Sequence, residues 1–250
     1  MSEIPRNDET TPVRDEKLAE TDIVFVDPKM KKLENFFYYH KWKLLAAVLV
    51  FVVVAVCVLQ ACQTVKYDSF VMYAGPYMIT AHDATNMTSA FSKLLDHDEE
   101  GEERQVQLVT ANVMSAEQIV SLEAVTDEDG NKVYSVNREF NHSELERFDS
   151  LILAGEYSVC LLDPYLYERV CSSGGFRQLD EVLGYKPECA IDDYGISLKD
   201  TEFAKAHPFF GALPEDTVLC LRTKAVIGFS AEAYALSEQL FKAIVEYIPN

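Results

Sequence analysis

Leu44–Cys62 reads LLAAVLVFVVVAVCVLQAC, a run with no charge and one strongly polar side chain, Gln60. At about 1.5 Å per residue, a helix of this length reaches about 28 Å, close to the hydrocarbon thickness of a bilayer. Inside lipid the backbone must satisfy its own hydrogen bonds, so one transmembrane helix is predicted here. A helix buried in a soluble domain would normally show a polar face, and this run has none. The chain then divides into a tail (1–22), a juxtamembrane segment (23–43), the span (44–62) and a domain of 188 residues (63–250).

The flanks predict the orientation. Lys29, Lys31, Lys32, Lys41 and Lys43 precede the span, and after it Lys66 is the only Lys or Arg before Lys93. The basic side stays in the cytoplasm, which puts the C-terminal domain outside the cell membrane. The rival reading is a cleaved signal or a lipoprotein, since Leu59-Gln60-Ala61-Cys62 faintly matches a lipobox. Gln60 fits that motif badly, and 43 residues precede the run where a signal peptide has a short charged region. The tail is polar and lacks the apolar content to fold alone. Phe36, Phe37, Tyr38, Tyr39 and Trp42 follow it and suit the water–lipid boundary, so the bilayer is the first expected partner.

Charge follows the same partition. Residues 1–43 carry a net −1, and residues 44–250 carry −18 of the total −19. Such an acidic domain repels nucleic acid, which is excluded as a partner. Cys160, Cys171, Cys189 and Cys220 permit two disulfides in any of three pairings. The apolar settings of Cys160 and Cys220 equally fit buried thiols. No cysteine–histidine spacing suits zinc, and the acidic run Asp96–Arg104 lacks the calcium-loop pattern.

Beyond the span, apolar runs alternate with helical patterns. Strands are predicted at Phe70–Tyr73, Val106–Ala111, Lys132–Val136, Tyr157–Leu162, Thr217–Arg222 and Ala225–Phe229. Helices are predicted near Asp83–Leu95, over the stretch ending at Gly155, over Tyr165–Val170 and from Ser230 to Ile248. Asn141 and Glu144 read as a capping box opening the second of these. Ala116–Val125 fits a short helix or a strand. The last helix is expected to bury Leu236, Leu240, Phe241, Ile244 and Ile248. The alternation implies an α/β domain with a largely parallel sheet.

His142–Gly184, HSELERFDSLILAGEYSVCLLDPYLYERVCSSGGFRQLDEVLG, adds a resemblance. A helix ends in Ala154-Gly155, a strand ends in Asp163, a helix follows, and Gly174-Gly175 turns into the Leu179–Leu183 phrase. In that order it resembles the bacterial extracellular solute-binding proteins of the type 2 periplasmic-binding fold. The resemblance covers about 43 residues. It implies an extracytoplasmic binding domain, two lobes joined by crossovers, and a small-molecule ligand. This chain departs from it by its span and by a domain shorter than the family's common length. Its only tryptophan, Trp42, lies before the span, so a tryptophan platform for sugar is missing.

No catalytic constellation emerges. His82-Asp83 and His142-Ser143 stand at expected helix starts, and no nucleophile elbow, P-loop or zinc-protease motif occurs. No enzymatic activity and no cofactor are expected. Asn86-Met-Thr88 and Asn141-His-Ser143 are formal glycosylation sequons without further support. Ligands of open α/β sheets gather beyond the carboxyl ends of strands. Tyr73, Gly75, Pro76, Asp163 and Tyr165 stand at two such ends and are the candidate ligand-binding residues, Asp163 accepting hydrogen bonds from a polar or cationic ligand. The alternative reading makes Asp163 a helix cap and Tyr73 core. A small molecule and a membrane-protein partner are the two remaining partner classes; the second would make the domain an assembly component of the cell envelope.

Overall fold

A computed structural model describes residues 28–62, 67–95, 101, 103–155, 157–224 and 230–249. The tail 1–22 and the expected strand Ala225–Phe229 lie outside the described residues. The chain forms two units, Met1–Thr64 and Val65–Asn250.

The described residues of the first unit form one helix, α1 (Pro28–Cys62). Pro28 opens it, where a missing N–H costs nothing and the fixed φ suits a helix. Within α1, Tyr38–Leu59 is a 22-residue stretch with a mean hydropathy of 2.8, long and apolar enough to cross a membrane. Phe36, Tyr38, Tyr39 and Trp42 are exposed on this helix. Lys41 Nζ sits 5.3 Å from the centre of the Tyr38 ring, a cation–π contact. The juxtamembrane aromatics and the apolar run therefore share one unbroken helix.

The second unit is a mixed α/β domain. Its strands are β1 (Ser69–Gly75), β2 (Val106–Asn112), β3 (Val159–Leu162), β4 (Gly195–Ser197) and β5 (Val218–Leu221). They form one sheet in the order β2-β1-β3-β5-β4. β1 is parallel to β2 and β3, whereas β5 is antiparallel to both β3 and β4. β4 thus runs the same way as β1, β2 and β3, so four of the five described strands share one direction, and the largely parallel expectation is corrected at β5. Parallel neighbours need a crossover that carries the chain back along the sheet. Between β4 and β5 the chain makes only a five-residue helix, α7 (Glu202–Ala206), and two 3-10 turns. That connection stays at one end of the sheet, so β5 returns antiparallel.

Helices cover both faces. On one face Val71, Tyr73, Val159, Leu161, Leu219 and Leu221 pack with Met87 and Phe91 of α2 (Ala81–Ser92) and with Leu240, Phe241 and Ile244 of α8 (Ala231–Val245). On the other, Met72, Ala74, Cys160, Leu162 and Cys220 pack with Phe148 of α4 (Arg138–Ala154) and with Leu166 and Val170 of α5 (Pro164–Cys171). The period-two alternation of a strand sends neighbours to opposite faces, and here both faces are apolar. In α8, Tyr234 and Ser237 are buried as well, Leu236 is partly buried, and Ile248 lies beyond the helix at 81% exposure, correcting its expected burial.

Two further expectations are corrected. Lys132–Val136 is not a strand; Thr126 and Lys132 form one isolated bridge around a turn that the Asp127 carboxylate closes by accepting from Asp129 N and Asn131 N. The segment before the turn is helical, α3 (Ala116–Glu123), so no strand is present to pair with. α4 starts a turn earlier than expected, capped by Asn137, whose side chain accepts from Phe140 N. Asn141 and Glu144, freed from capping, reach back across the sheet end. Gly155 ends α4 with φ 76°, the left-handed position predicted for it. Cys160, Cys171, Cys189 and Cys220 are free thiols. Cys160 and Cys220 are register partners on β3 and β5, and burial pushes the Cys160 thiol up to about 12. They serve as small core hydrophobes.

Candidate functional site

The strand order places the site. From β1 the chain passes through α2, on one face, to β2. From β2 it passes through α4, on the other face, to β3 on the far side of β1. The two connections leave in opposite directions, and a crevice opens between the segments that follow β2 and β3, at the carboxyl end of the sheet. β5 runs the other way and brings Asp216, just before it, to the same end.

Asp163 forms the floor. It caps α5, its Oδ1 accepting from Tyr165 N at 3.0 Å. Its Oδ2 accepts from Gln118 Nε2 at 2.8 Å. Gln118 is held from its other atom, for its Oε1 accepts from Ser115 N at 2.7 Å and completes a capping box with Ser115 at the start of α3. Asp163 is only 3% exposed. Burial raises its carboxyl above the usual range; the bonds from Gln118 and Tyr165 oppose this, and the nearby Asp216 charge adds to it.

The wall behind the floor is close-packed. Asp163 N donates to Ala74 O at 2.8 Å, and Val113 N donates to Gly75 O at 3.0 Å. A side chain on Gly75 would put its Cβ 2.9 Å from Tyr73 Oη and 3.3 Å from Asp163 Cβ. Glycine is thus what lets the tyrosine hydroxyl and the aspartate approach one another. Tyr73 Oη accepts from Tyr77 N at 3.2 Å, and burial raises the phenol's pKa. The outer arm, α3, is pinned by α4. Asn141 accepts from Met114 N at 2.8 Å and donates to Met114 O at 3.0 Å, and Glu144 accepts from Asn112 N at 3.2 Å.

The resulting crevice has a volume of about 700 Å³. Glu117, Asp163, Glu168 and Asp216 line it together with Ser115, Gln118, Leu122, Val125, Pro164 and Tyr165, and among the described residues no basic one does. Glu117, Glu168 and Asp216 are exposed and make no ion pair among the described residues. Such a lining repels anions and offers acceptors to cations and to N–H or O–H donors.

Of the residues singled out in the sequence, Asp163 and Tyr165 line this crevice, Tyr165 on the rim at 39% exposure. Asp163 is also the helix cap of the alternative reading. Tyr73 lies in the core behind the wall, Gly75 is buried, and Pro76 is half-buried away from the lining. Sequence reasoning missed Gln118, Glu117, Glu168 and Asp216. For Gln118 a local signal exists, since Ser115-x-x-Gln118 is a capping-box pattern. The others carry no local signal because their meeting depends on the strand order. Among the described residues, no group of three or more His, Cys, Asp or Glu is arranged to hold a metal ion.

Fold and crevice define a mixed α/β domain with helices on both faces of one sheet and an acidic pocket at one end of it; among the described residues the chain has one candidate membrane helix. Comparison with protein-family models, with curated proteins and with solved structures finds no match.

Proposed function

We propose that the protein is a single-pass membrane-anchored binding module. Its N-terminus is cytoplasmic, and its outer domain captures a positively charged ligand in the crevice lined by the segments that follow β2 and β3 and by Asp216. One observation carries the reading: four carboxylates line the crevice and no basic residue is among its described lining, Lys199 within reach of Asp216 being paired with Glu215. The module has no catalytic role in this reading and uses no cofactor. The lysine asymmetry around the span supports the orientation.

The domain corresponds, in the same proposal, to one lobe of the type 2 periplasmic-binding fold. The order of elements across the resembling stretch supports this. α4 ends at Ala154 with Gly155 left-handed, β3 ends before Asp163, α5 follows, Gly174 has φ 71°, and α6 (Leu179–Leu183) comes next. The described residues contain one sheet and not two, which supports reading the domain as a single lobe.

Thermal unfolding of the full-length protein in detergent micelles tests the reading, with agmatine, spermidine and a lysine-containing peptide as probes. Cations are expected to raise Tm, as any ligand selective for the folded state does. The shift should vanish in a Glu168→Gln/Asp216→Asn variant, whose exposed positions leave folding intact. A flat response to every cationic probe, or an unchanged response in the variant, overturns it.

A further inference from the structure

We infer that the ligand of this crevice is a polypeptide: a segment of a partner protein carrying lysine or arginine beside aliphatic side chains. The inference rests on the cation-binding reading above and specifies its ligand class.

Apolar surface is the first argument. Leu122 and Val125 from the α3 arm face Pro164 and the Tyr165 ring across the crevice, which is open to solvent. The strip continues outward. Val133 N donates to Val125 O at 3.0 Å, next to the antiparallel Thr126–Lys132 bridge. Residues directly opposed in an antiparallel pair project to the same face, so Val133 extends the surface begun by Val125. Val125 and Val133 are 44% and 49% exposed. A small polyamine would satisfy the carboxylates and leave this strip in water. A peptide with alternating basic and aliphatic side chains covers both.

Charge complementarity is the second argument, and it selects among occupants. Glu117, Glu168 and Asp216 ring the apolar strip; Lys199 lies within electrostatic reach of Asp216 but pairs with Glu215, and Asp163 lies beneath. A second copy of the chain is a poor occupant, because residues 44–250 carry −18 and would meet like charge. An acidic or neutral peptide gains nothing from the rim. The occupant is therefore a basic, partly aliphatic segment of another protein.

The test uses the full-length chain in micelles and a labelled short peptide alternating leucine with lysine. A leucine–glutamate counterpart and agmatine serve as competitors. The leucine–lysine peptide is expected to bind, with the leucine–glutamate peptide inert and agmatine at least about tenfold weaker. Glu168→Gln/Asp216→Asn should weaken the peptide about tenfold, and Val125→Asn should weaken it several-fold while leaving agmatine unchanged. A control pair outside the crevice, Glu188→Gln/Glu232→Gln, should leave binding unaltered. Equal weakening by the control pair overturns the inference in favour of general surface charge. Agmatine binding as tightly as the peptide also overturns it, yet leaves the cation-binding reading standing. Binding of neither removes both.

Discussion

Asp163 joins fold and site in a single side chain. It caps α5, receives Gln118 and forms the crevice floor. Its pKa is raised, mainly by burial. For an acid whose folded pKa exceeds the unfolded value, the associated stability is full below the unfolded pKa and is lost as pH rises through the folded one. The unfolded value is about 3.9. Wild type should therefore gain on Asp163→Asn as pH falls from above the raised pKa towards about 4. At neutral pH the variant should be about 1 kcal/mol less stable, because asparagine still caps but cannot readily accept from Gln118. Gln118 cannot turn its amide without breaking its bond to Ser115 N. Urea unfolding of both proteins across this pH range checks the prediction; parallel curves would show that Asp163 does not titrate differently on folding.

At the scale of elements, the sequence carried those features that are local. The long apolar helix, the Gly155 stop, the strands β1, β2 and β3, and the α8 face all rest on short-range periodicity or a single turn residue. What escaped was non-local. β4 has three residues, too few for a pattern, and the antiparallel course of β5 follows from a connection that does not cross the sheet. Asn141 shows the difficulty at one residue. Its local setting suited a helix cap, but its amide clamps Met114, 27 positions earlier in the chain. That clamp holds the α3 arm at the crevice edge, so Asn141→Ala should cost about 1–3 kcal/mol by leaving both Met114 backbone groups without that partner. Urea denaturation measures this. The same bonds occupy the amide of the Asn141-His-Ser143 sequon, so a glycan there would exclude the clamp.

At the scale of the molecule, the charge partition makes a topological prediction. Protease added to intact cells, or to spheroplasts where an outer wall intervenes, should digest residues beyond Lys66 and leave the tail intact. Protection of the C-terminal domain would reverse the proposed orientation. The place of β5 in the sheet has a consequence for biogenesis. A chain emerging N-terminus first can zip β2, β1 and β3 once Leu162 is clear of the exit. The outer edge of β3 then stays bare until Val218 arrives, and β4, made earlier, must wait for the same strand. A nascent chain stalled between Ser197 and Val218 presents an open strand edge, a template for mispairing with its neighbours. Folding of the sheet is therefore tied to the last strand among the described residues: the β3 edge closes only after most of the chain has been synthesised.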